Sequence, residues 1–335
     1  MKHECWSMWR VSKEAGVDEY RILALDGGGV RGAYTSRLIE RLHAETSFLD
    51  QVDLVAGTST GGIIALALAA GQKPGDVKAL YSGNAGAIFS TPFWRRLQAG
   101  LLVSKYPNDG LRKALTSVLG TSRLEELKAH TVLIPSFDLD SEATNEPRAW
   151  KAKFFHNLPN EDSDGKELAV EVGLRTAAAP TYFPTVDNYI DGGVVANNPA
   201  MAALALAVNP DTTKGAGKSL FQVRMLSLGT GRNCKWVEGD HDWGVIQWGK
   251  KLVDILIEGT MGVASYQCQA ILGPNFYRLD PVLPEEVNLD DAGCVDTLIG
   301  WASKENLARA IEWIRNSFIP TPVASAAPSG KARPT

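Results

Sequence analysis

The stretch that decides the fold lies near the start of the chain and reads RILALDGGGVRG at residues 21–32. Residues 22–25 are all apolar, which is typical of a strand buried on both faces of a parallel sheet. A glycine-rich turn follows, and apolar residues at helical spacing then predict a helix to about residue 44. A second strand at 52–56, the turn GTSTGG and the helix IIALALAA repeat this order. The repetition indicates βαβ units.

The rest of the chain extends the same pattern. Further strands are predicted at 132–137, 186–190 and 223–228, and further helices at 166–178, 199–208, 243–258 and 295–318. Together these elements predict an α/β fold, a three-layer α/β/α sandwich around a mostly parallel central sheet. We expect one domain over residues 20–319, preceded by an N-terminal extension at 1–19. Residues 320–335 contain four prolines, no aromatic residue and no acid, which predicts a disordered tail.

The composition excludes several functional classes. Of the 335 residues 44% are hydrophobic, enough for a large core, and the formal net charge of −4 disfavours general nucleic-acid binding. The four cysteines lie far apart without zinc-ligand spacing, as in a reduced cytosolic protein, so we expect no metal. The first residues lack the apolar core of a signal peptide, and the longest apolar stretch, at 63–70, is too short to span a bilayer. The sequence therefore predicts a cytoplasmic protein and limits membrane contact to peripheral association.

The second turn carries a candidate nucleophile. Residues 57–61, GTSTG, fit the G-x-S-x-G nucleophile elbow and lie between a buried strand and an apolar helix, the context that the motif requires. Gly57 and Gly61 would let the backbone turn sharply, and Ser59 would sit at a helix N-terminus whose dipole favours developing negative charge. The alternative is an ordinary small-residue turn.

A nucleophilic serine needs a base, and Asp191 is the candidate. It follows the strand predicted at 186–190 and precedes two glycines, so it would lie at the sheet edge where Ser59 is also expected. The alternative for this motif is an Asp-Gly hairpin turn. A triad would require His241, the only histidine after Asp191, but its polar loop is more typical of a solvated side chain.

The glycine-rich turn after the first strand has two interpretations. The glycines at 27, 29 and 32 match the dinucleotide-binding pattern G-x-G-x-x-G, and Asp50 or Asp53 lies where a ribose-binding acid would be expected. Alternatively, successive backbone N–H groups of this loop form an oxyanion hole, and Arg31 adds positive charge. The elbow on the next strand favours the oxyanion hole, because a nicotinamide enzyme has no need of an elbow.

Residues 86–120 differ from their surroundings because they combine large apolar side chains with cations, among them Phe93, Trp94, Arg95 and Arg96. This mixture predicts either a lid or lipid-facing surface, or a cap helix packed on the core. The cap helix is the simpler interpretation.

Three motifs in this order, DGGGVRG at 26–32, GTSTGG at 57–62 and DGG at 191–193, resemble the signatures of the patatin-like phospholipases. The segments AAPTYFP at 178–184 and SLGTG at 227–231 are similar to that family as well. The resemblance, which covers about residues 21–231, implies a serine–aspartate dyad with Ser59 as nucleophile and Asp191 as base. The oxyanion hole that it implies is formed by Gly27, Gly28, Gly29 and Arg31.

The resemblance implies a lipid acyl hydrolase of phospholipase A or lysophospholipase type that needs no cofactor. Its substrate would be a membrane phospholipid at the bilayer surface, reached from the inner face of the membrane. Some compact bacterial members of the family act in antiphage defence, where a cyclic nucleotide switches on lipid degradation; a constitutive acyl hydrolase is the alternative. Two other classes stay open, a nucleotide-binding oxidoreductase built on the loop 27–32 and a non-catalytic lipid-binding module.

Overall fold

A seven-stranded mixed sheet forms the centre of the fold. The computed structural model describes residues 18–88, 103–142, 144, 147–234, 236–239, 242 and 244–319 of the chain. Its strands are β1 (Tyr20–Leu25), β2 (Leu54–Gly57), β3 (Thr131–Asp138), β4 (Lys151–His156), β5 (Tyr189–Asp191), β6 (Val223–Leu228) and β7 (Phe276–Leu279). Strands β3, β2, β1, β6 and β7 lie side by side in this order and run parallel. Strands β4 and β5 pair with β3 in antiparallel orientation. The predicted mostly parallel sheet is confirmed.

Helices cover both faces of this sheet. Alternate residues of β1 point to opposite faces, so Leu23 and Leu25 belong to one core and Ile22 and Ala24 to the other. The helices are α1 (Gly32–Thr46), α2 (Thr60–Ala69), α3 (Pro74–Ile88), α4 (Asp109–Leu119), α5 (Ala169–Thr176), α6 (Gly193–Ala196), α7 (Ala200–Val208), α8 (Val245–Leu272), α9 (Val295–Lys304) and α10 (Ala308–Trp313), and a π-helical turn (Ile314–Phe318) follows α10. The core that contains Leu23 and Leu25 includes residues of α1, α2, α4, α5, α9 and α10, and the other core includes residues of α7 and α8. The three predicted layers are therefore present.

Several predicted boundaries are wrong. Strands β4 and β7 were not predicted, because β4 is a half-exposed edge strand and β7 has only four residues. The helix predicted to end at 258 continues as α8 to Leu272, since the glycines at 259 and 262 face open space and do not interrupt it. The helix predicted at 295–318 is divided into α9, α10 and the π-helical turn.

The strand predicted at 186–190 is replaced by a tight turn and the short strand β5. Asp187 and Asn188 both have positive φ, and Val186 and Tyr189 exchange backbone hydrogen bonds across them, as in a two-residue hairpin. Strand β5 then runs antiparallel to β3 and pairs Asp191 with Ser136, just beyond the residues of β3 that pair with β2. Asp191 thus lies at the carboxyl end of β2, although its own strand runs in the opposite direction.

Some predictions concern parts of the chain outside the described residues. These are the N-terminal extension up to residue 17, the tail from residue 320, His241, and residues 89–102 of the apolar and cationic segment. Within that segment α4 is described, and it buries Leu111, Ala114, Leu115 and Leu119 as a cap helix would. None of the described helices is both long enough and apolar enough to cross a membrane.

Close packing of α2 against β1 places the elbow beside the glycine-rich turn. A Cβ atom at Gly61 would lie 2.3 Å from the carbonyl oxygen of Leu25 and 2.7 Å from that of Asp26. Both atoms are main-chain atoms of β1 and of the turn that follows it, so a side chain at position 61 cannot be accommodated by a rotamer change.

We expect Gly61→Ala to lower the thermal unfolding temperature, by an amount equivalent to about 2 kcal/mol or more, because the helix must move away from β1. The matched control is Gly262→Ala, a helical glycine at which an added Cβ atom would have no described atom within 4 Å apart from its own stretch of helix. That substitution should leave the unfolding temperature unchanged or raise it, because alanine favours helix more than glycine does. Equal effects of the two substitutions in thermal unfolding would contradict the packing argument.

Candidate active site

Ser59 occupies a strained turn between β2 and α2. Its φ of 53° and ψ of −120° lie in a region that non-glycine residues rarely adopt. The backbone N–H of Ser59 donates to Thr176 Oγ1 at 3.0 Å, and the Thr176 hydroxyl donates to the Pro135 carbonyl at 2.6 Å. The end of α5 and strand β3 therefore hold the strained residue in place. The strain, the flanking strand and the following helix are those of a nucleophile elbow.

Asp191 lies at the end of β5 and is 6% exposed. The Gly193 N–H donates to its Oδ1 at 2.6 Å, and the Ser59 hydroxyl lies close enough to the same carboxyl group to stabilise its charged form. Burial raises the pKa of Asp191 to about 6, and Gly193 and Ser59 lower it only in part. A carboxylate with this pKa is a stronger base than an ordinary aspartate and is still ionised at neutral pH.

The glycine-rich turn presents two backbone donors to the same region. The N–H of Gly27 donates to the Asn197 carbonyl at 3.0 Å, so it is already engaged. The N–H groups of Gly28 and Gly29 have no hydrogen-bond partner among the described residues, and both glycines line the cavity beside Ser59. Gly29 has a φ of +57°, which favours glycine. Of the three glycines expected to form an oxyanion hole, Gly28 and Gly29 have the available donors.

The Arg31 side chain is buried between the glycine-rich turn and the loop after β6. It is 3% exposed, and its Nη1 donates to the Gly231 carbonyl at 3.0 Å. The guanidinium thus joins the glycine-rich turn to the loop after β6. Arg31 still lines the cavity, where its positive charge lies near any anion that forms beside Gly28 and Gly29.

One cavity of about 150 Å³ brings these groups together. Ser59, Asp191, Arg31 and the glycines at 27–29 all line it, and most of the remaining wall is apolar. A smaller apolar cavity of about 30 Å³ lies next to it, between α2, α3 and α4. The side chains that border both cavities are Ile63, Tyr81, Ile88 and Leu111. The arrangement suits a substrate with a reactive polar centre and a long apolar chain.

The dinucleotide interpretation of the glycine-rich turn fails on the position of the acidic residues. Asp53 Oδ2 accepts a hydrogen bond from the Arg21 backbone N–H at 2.7 Å, and Asp50 lies in the turn before β2. Both positions are at the amino end of the strands, whereas the glycine-rich turn is at the carboxyl end. A ribose bound by either acid would lie a strand length away from the turn.

The comparisons with known proteins agree with this geometry. The sequence profile of the patatin-like phospholipases matches residues 23–204. The chain belongs to the patatin-like phospholipase family. A cGAMP-activated phospholipase of Pseudomonas aeruginosa is 32% identical, and the alignment covers 79% of each chain. A cGAMP-activated phospholipase of Vibrio cholerae is 30% identical over 90% of this chain and 94% of its own. A plant relative, patatin-like protein 2 of Arabidopsis thaliana, is 28% identical over 85% of this chain and 79% of its own.

Sequence reasoning missed two features of this patatin-like site. Asn197 is 4% exposed, lines the cavity, and supports the turn through its carbonyl and through an Nδ2 donor 3.4 Å from the Gly27 carbonyl. Its place six residues after Asp191 was the available signal. The second feature is a buried ion cluster of Asp26, Arg278 and Asp280 beneath the turn. Only the aspartate at the start of DGGGVRG pointed to it, because β7, which carries the arginine, was not predicted.

We expect kcat/KM for a soluble short-chain ester to fall about tenfold per pH unit below about pH 6 and to be level above it. The reason is that only the ionised Asp191, whose pKa is about 6, can accept the Ser59 proton. The measurement is a pH–rate profile of the purified enzyme.

Asp26 also has a pKa raised by burial to about 6, so the profile is repeated with Asp26→Asn. The acidic limb persists in this variant if Asp191 is its source. A profile that becomes level in Asp26→Asn would show that the wrong carboxylate had been assigned as the base.

Proposed function

We propose that this member of the patatin-like family, a carboxylic ester hydrolase, cleaves fatty-acyl esters of membrane phospholipids with a Ser59–Asp191 dyad through an acyl-enzyme. The observation that carries the proposal is the convergence of three kinds of group on one apolar cavity. These are the strained Ser59, the buried carboxylate of Asp191 and the N–H groups of Gly28 and Gly29, which have no hydrogen-bond partner in the described part of the chain. Each supplies a different requirement of acyl transfer.

The first half of the reaction forms the acyl-enzyme. The Asp191 carboxylate takes the hydroxyl proton of Ser59 while Oγ attacks the ester carbonyl carbon. The carbonyl oxygen becomes an oxyanion that accepts hydrogen bonds from the N–H groups of Gly28 and Gly29, and the N-terminus of α2 favours the same negative charge. When the tetrahedral intermediate collapses, the C–O bond to the glycerol oxygen breaks and Asp191 returns the proton to that oxygen.

The second half repeats these roles with water. Asp191 takes a proton from a water molecule that attacks the acyl carbonyl, and the oxyanion forms again beside Gly28 and Gly29. Collapse breaks the bond to Ser59 Oγ, which recovers its proton from Asp191, and the fatty acid leaves. Chemistry of this kind needs no cofactor. The apolar wall at Ile63 and Leu111, and the smaller cavity behind it, would receive the acyl chain.

The non-catalytic lipid-binding module would need the apolar cavity alone. It would not require a strained backbone at Ser59, which costs on the order of 1–3 kcal/mol, or a carboxylate whose pKa is raised in its interior. Strain and a perturbed pKa occurring in the same cavity favour the enzyme. Covalent labelling by a fluorophosphonate separates the two, because only an activated serine reacts.

We expect Ser59→Ala and Asp191→Ala each to reduce ester hydrolysis by about 10³-fold or more, with thermal unfolding showing a folded protein. Residues that act as a unit are not additive, so the double variant should be barely worse than either single variant. The measurement is kcat with a soluble short-chain ester. The control is His241→Ala, which should keep kcat within about tenfold, because a dyad does not use it.

Two results would contradict the dyad. One is losses that multiply in the double variant, which would mean that Ser59 and Asp191 act independently. The other is a collapse of kcat in His241→Ala with the fold intact, which would indicate a triad and reduce Asp191 to an orienting role.

We further propose that the enzyme works at the inner face of the membrane and that a cyclic nucleotide switches it on in antiphage defence. Peripheral association is supported by the proposed substrate, because the ester bonds of a membrane phospholipid lie at the surface of the bilayer. The switch is supported by the two bacterial relatives named cGAMP-activated phospholipases, at 32% and 30% identity over most of the chain. A constitutive acyl hydrolase is the competing hypothesis.

We expect cGAMP to raise the rate of fatty-acid release from phospholipid vesicles by about tenfold or more, because an effector coupling of about 1–3 kcal/mol shifts the equilibrium between an inactive and an active form by roughly 5–150-fold, and only the active form releases fatty acid. Vesicles of mixed phospholipids are incubated with the wild-type enzyme and a panel of cyclic nucleotides, and released fatty acid is measured. Ser59→Ala under the same conditions gives the background. Equal release with and without every nucleotide would support the constitutive enzyme instead.

A further inference from the structure

Arg278, on the edge strand β7, reaches across the neighbouring strand to the end of β1. Its guanidinium donates to both carboxylate oxygens of Asp26, at 2.8 Å for the Nη1–Oδ1 pair. Nη1 also donates to Ser227 Oγ on β6, the strand between β7 and β1, at 2.8 Å. Nη2 also donates to Asp280 Oδ2 at 2.9 Å. Asp26 is 1% exposed and the Arg278 side chain is 17% exposed, so the pair is largely shielded from solvent. One side chain therefore ties together the carboxyl ends of three adjacent strands.

The first connection runs along the chain into the oxyanion donors. Asp26 immediately precedes Gly27. The N–H groups of Gly28 and Gly29, unpartnered among the residues that the structure describes, are available to an oxyanion. Both carboxylate oxygens of Asp26 are bound by the planar guanidinium, and its backbone N–H donates to the Leu228 carbonyl at 3.1 Å. Residue 26 therefore cannot rotate without breaking several hydrogen bonds, and its position sets the direction in which the glycine-rich turn begins.

The second connection reaches the same turn from the other side. Asp280 accepts a hydrogen bond from the Gly231 N–H at 3.2 Å, which fixes the loop after β6. In that loop Thr230 Oγ1 donates to the Gly27 carbonyl at 3.3 Å. Thr230 also lies so close to Gly28 that a Cβ atom there would be 2.3 Å from its hydroxyl oxygen. The glycine-rich turn is therefore held by Asp26 on one side and by the loop after β6 on the other. Arg278 binds Asp26 directly, and it binds that loop through Asp280.

We infer that Arg278 is a positioning residue for the oxyanion hole, which holds the N–H groups of Gly28 and Gly29 at the angle and distance that the oxyanion requires. The inference rests on the proposed function, because it assigns a role within that reaction. Arg278 is not among the residues that line the cavity, so it acts through the backbone and not by contact with the substrate. The planar guanidinium is required because a lysine ammonium cannot bind two carboxylates in this bidentate geometry.

Three variants separate positioning from folding. Arg278→Met leaves the buried Asp26 without a partner and is expected to lower the unfolding temperature. Arg278→Lys retains a cation, and Arg278→Met combined with Asp26→Asn removes the unpaired carboxylate, so both are expected to recover most of that temperature. For each variant kcat and KM are measured with a soluble short-chain ester, together with the second-order rate of fluorophosphonate labelling, in which the phosphonyl oxygen occupies the oxyanion site.

We expect kcat to fall by about 10²-fold in Arg278→Met, with KM changed less than about threefold, because displaced oxyanion donors weaken the transition state and not the binding of the ester. Labelling should slow in parallel. The double variant should stay within about threefold of Arg278→Met in kcat despite its recovered stability. Arg278→Lys should stay at least about fivefold below the wild type.

The matched control is Arg224→Met, which removes another buried arginine of the sheet, paired with Glu19 at 3.0 Å at the opposite end of β6. It should lower the unfolding temperature and leave kcat within about twofold. A loss of kcat in Arg278→Met no larger than in this control would overturn the inference, as would wild-type kcat in the stable double variant. If Arg278→Met does not fold, Arg278→Lys takes its place, and a loss of kcat no larger than that of Arg224→Met would again overturn the inference. A wild type without Ser59-dependent hydrolysis would instead refute the proposed function.

Discussion

Close approach of main chain to main chain, at the carboxyl ends of β1 and β2, is the constraint on which the rest of the site depends. A Cβ atom at Gly57 would lie 2.1 Å from the Gly61 carbonyl oxygen, and one at Gly61 would lie 2.3 Å from that of Leu25. Contacts this short leave room for hydrogen only, so the separation of the elbow from the glycine-rich turn is set by backbone packing. Donors held in this way need no rearrangement when the oxyanion forms, which is the condition for strong electrostatic stabilisation.

The site contains two buried carboxylates whose surroundings give them different roles. Burial raises the pKa of both to about 6, but Asp26 is bound on both oxygens by Arg278, whereas Asp191 has only N–H and hydroxyl donors. Burial alone would lower the pKa of Arg278, but Asp26 and Asp280 raise it above its ordinary value, so the ion pair is retained. Asp26 is therefore held in a structural ion pair, whereas Asp191 keeps a lone pair that accepts the Ser59 proton in the reaction that we propose.

The basicity of Asp191 is obtained at the expense of stability. A folded-state pKa of about 6, against 3.8 for an ordinary aspartate, favours the protonated form in the native protein. The protonated carboxyl group of Asp191 thus stabilises the fold relative to the ionised one. This stabilisation is complete at pH values below 3.8, the pKa in the unfolded chain, and is lost as the pH rises through about 6. At neutral pH the ionised carboxylate thus destabilises the fold by about 3 kcal/mol, at 1.36 kcal/mol per pKa unit. The strained backbone of Ser59 also lowers the free energy of unfolding. Such losses of stability are common at sites whose activity requires strained or desolvated groups.

Local sequence patterns were sufficient to predict the strands and turns that carry the candidate site residues. They were insufficient to predict the residues that hold those turns in place. β1, β6 and the two glycine turns were predicted because continuous apolar runs and glycine patterns are local properties. The strand that ends at Asp191 was predicted as well, but its antiparallel direction was not, because that direction follows from a two-residue turn at Asp187 and Asn188 that carries no glycine. Arg278 lies 252 residues from Asp26, and no local pattern announces a pairing over such a separation.

The short segment from Asp191 to Asn197 explains how the dyad that we propose works without a third side chain. An imidazole base needs a third group to select its tautomer and orient its ring, which is the role of the aspartate in a triad. A carboxylate has no tautomers to select, and the Gly193 N–H already fixes Oδ1 of Asp191 from within the same turn. Six residues after Asp191, the carbonyl of Asn197 accepts the Gly27 N–H and so fixes the start of the oxyanion donors. One continuous piece of backbone therefore links the position of the base to the start of the oxyanion donors, and the Asp26–Arg278 pair supports the same turn independently.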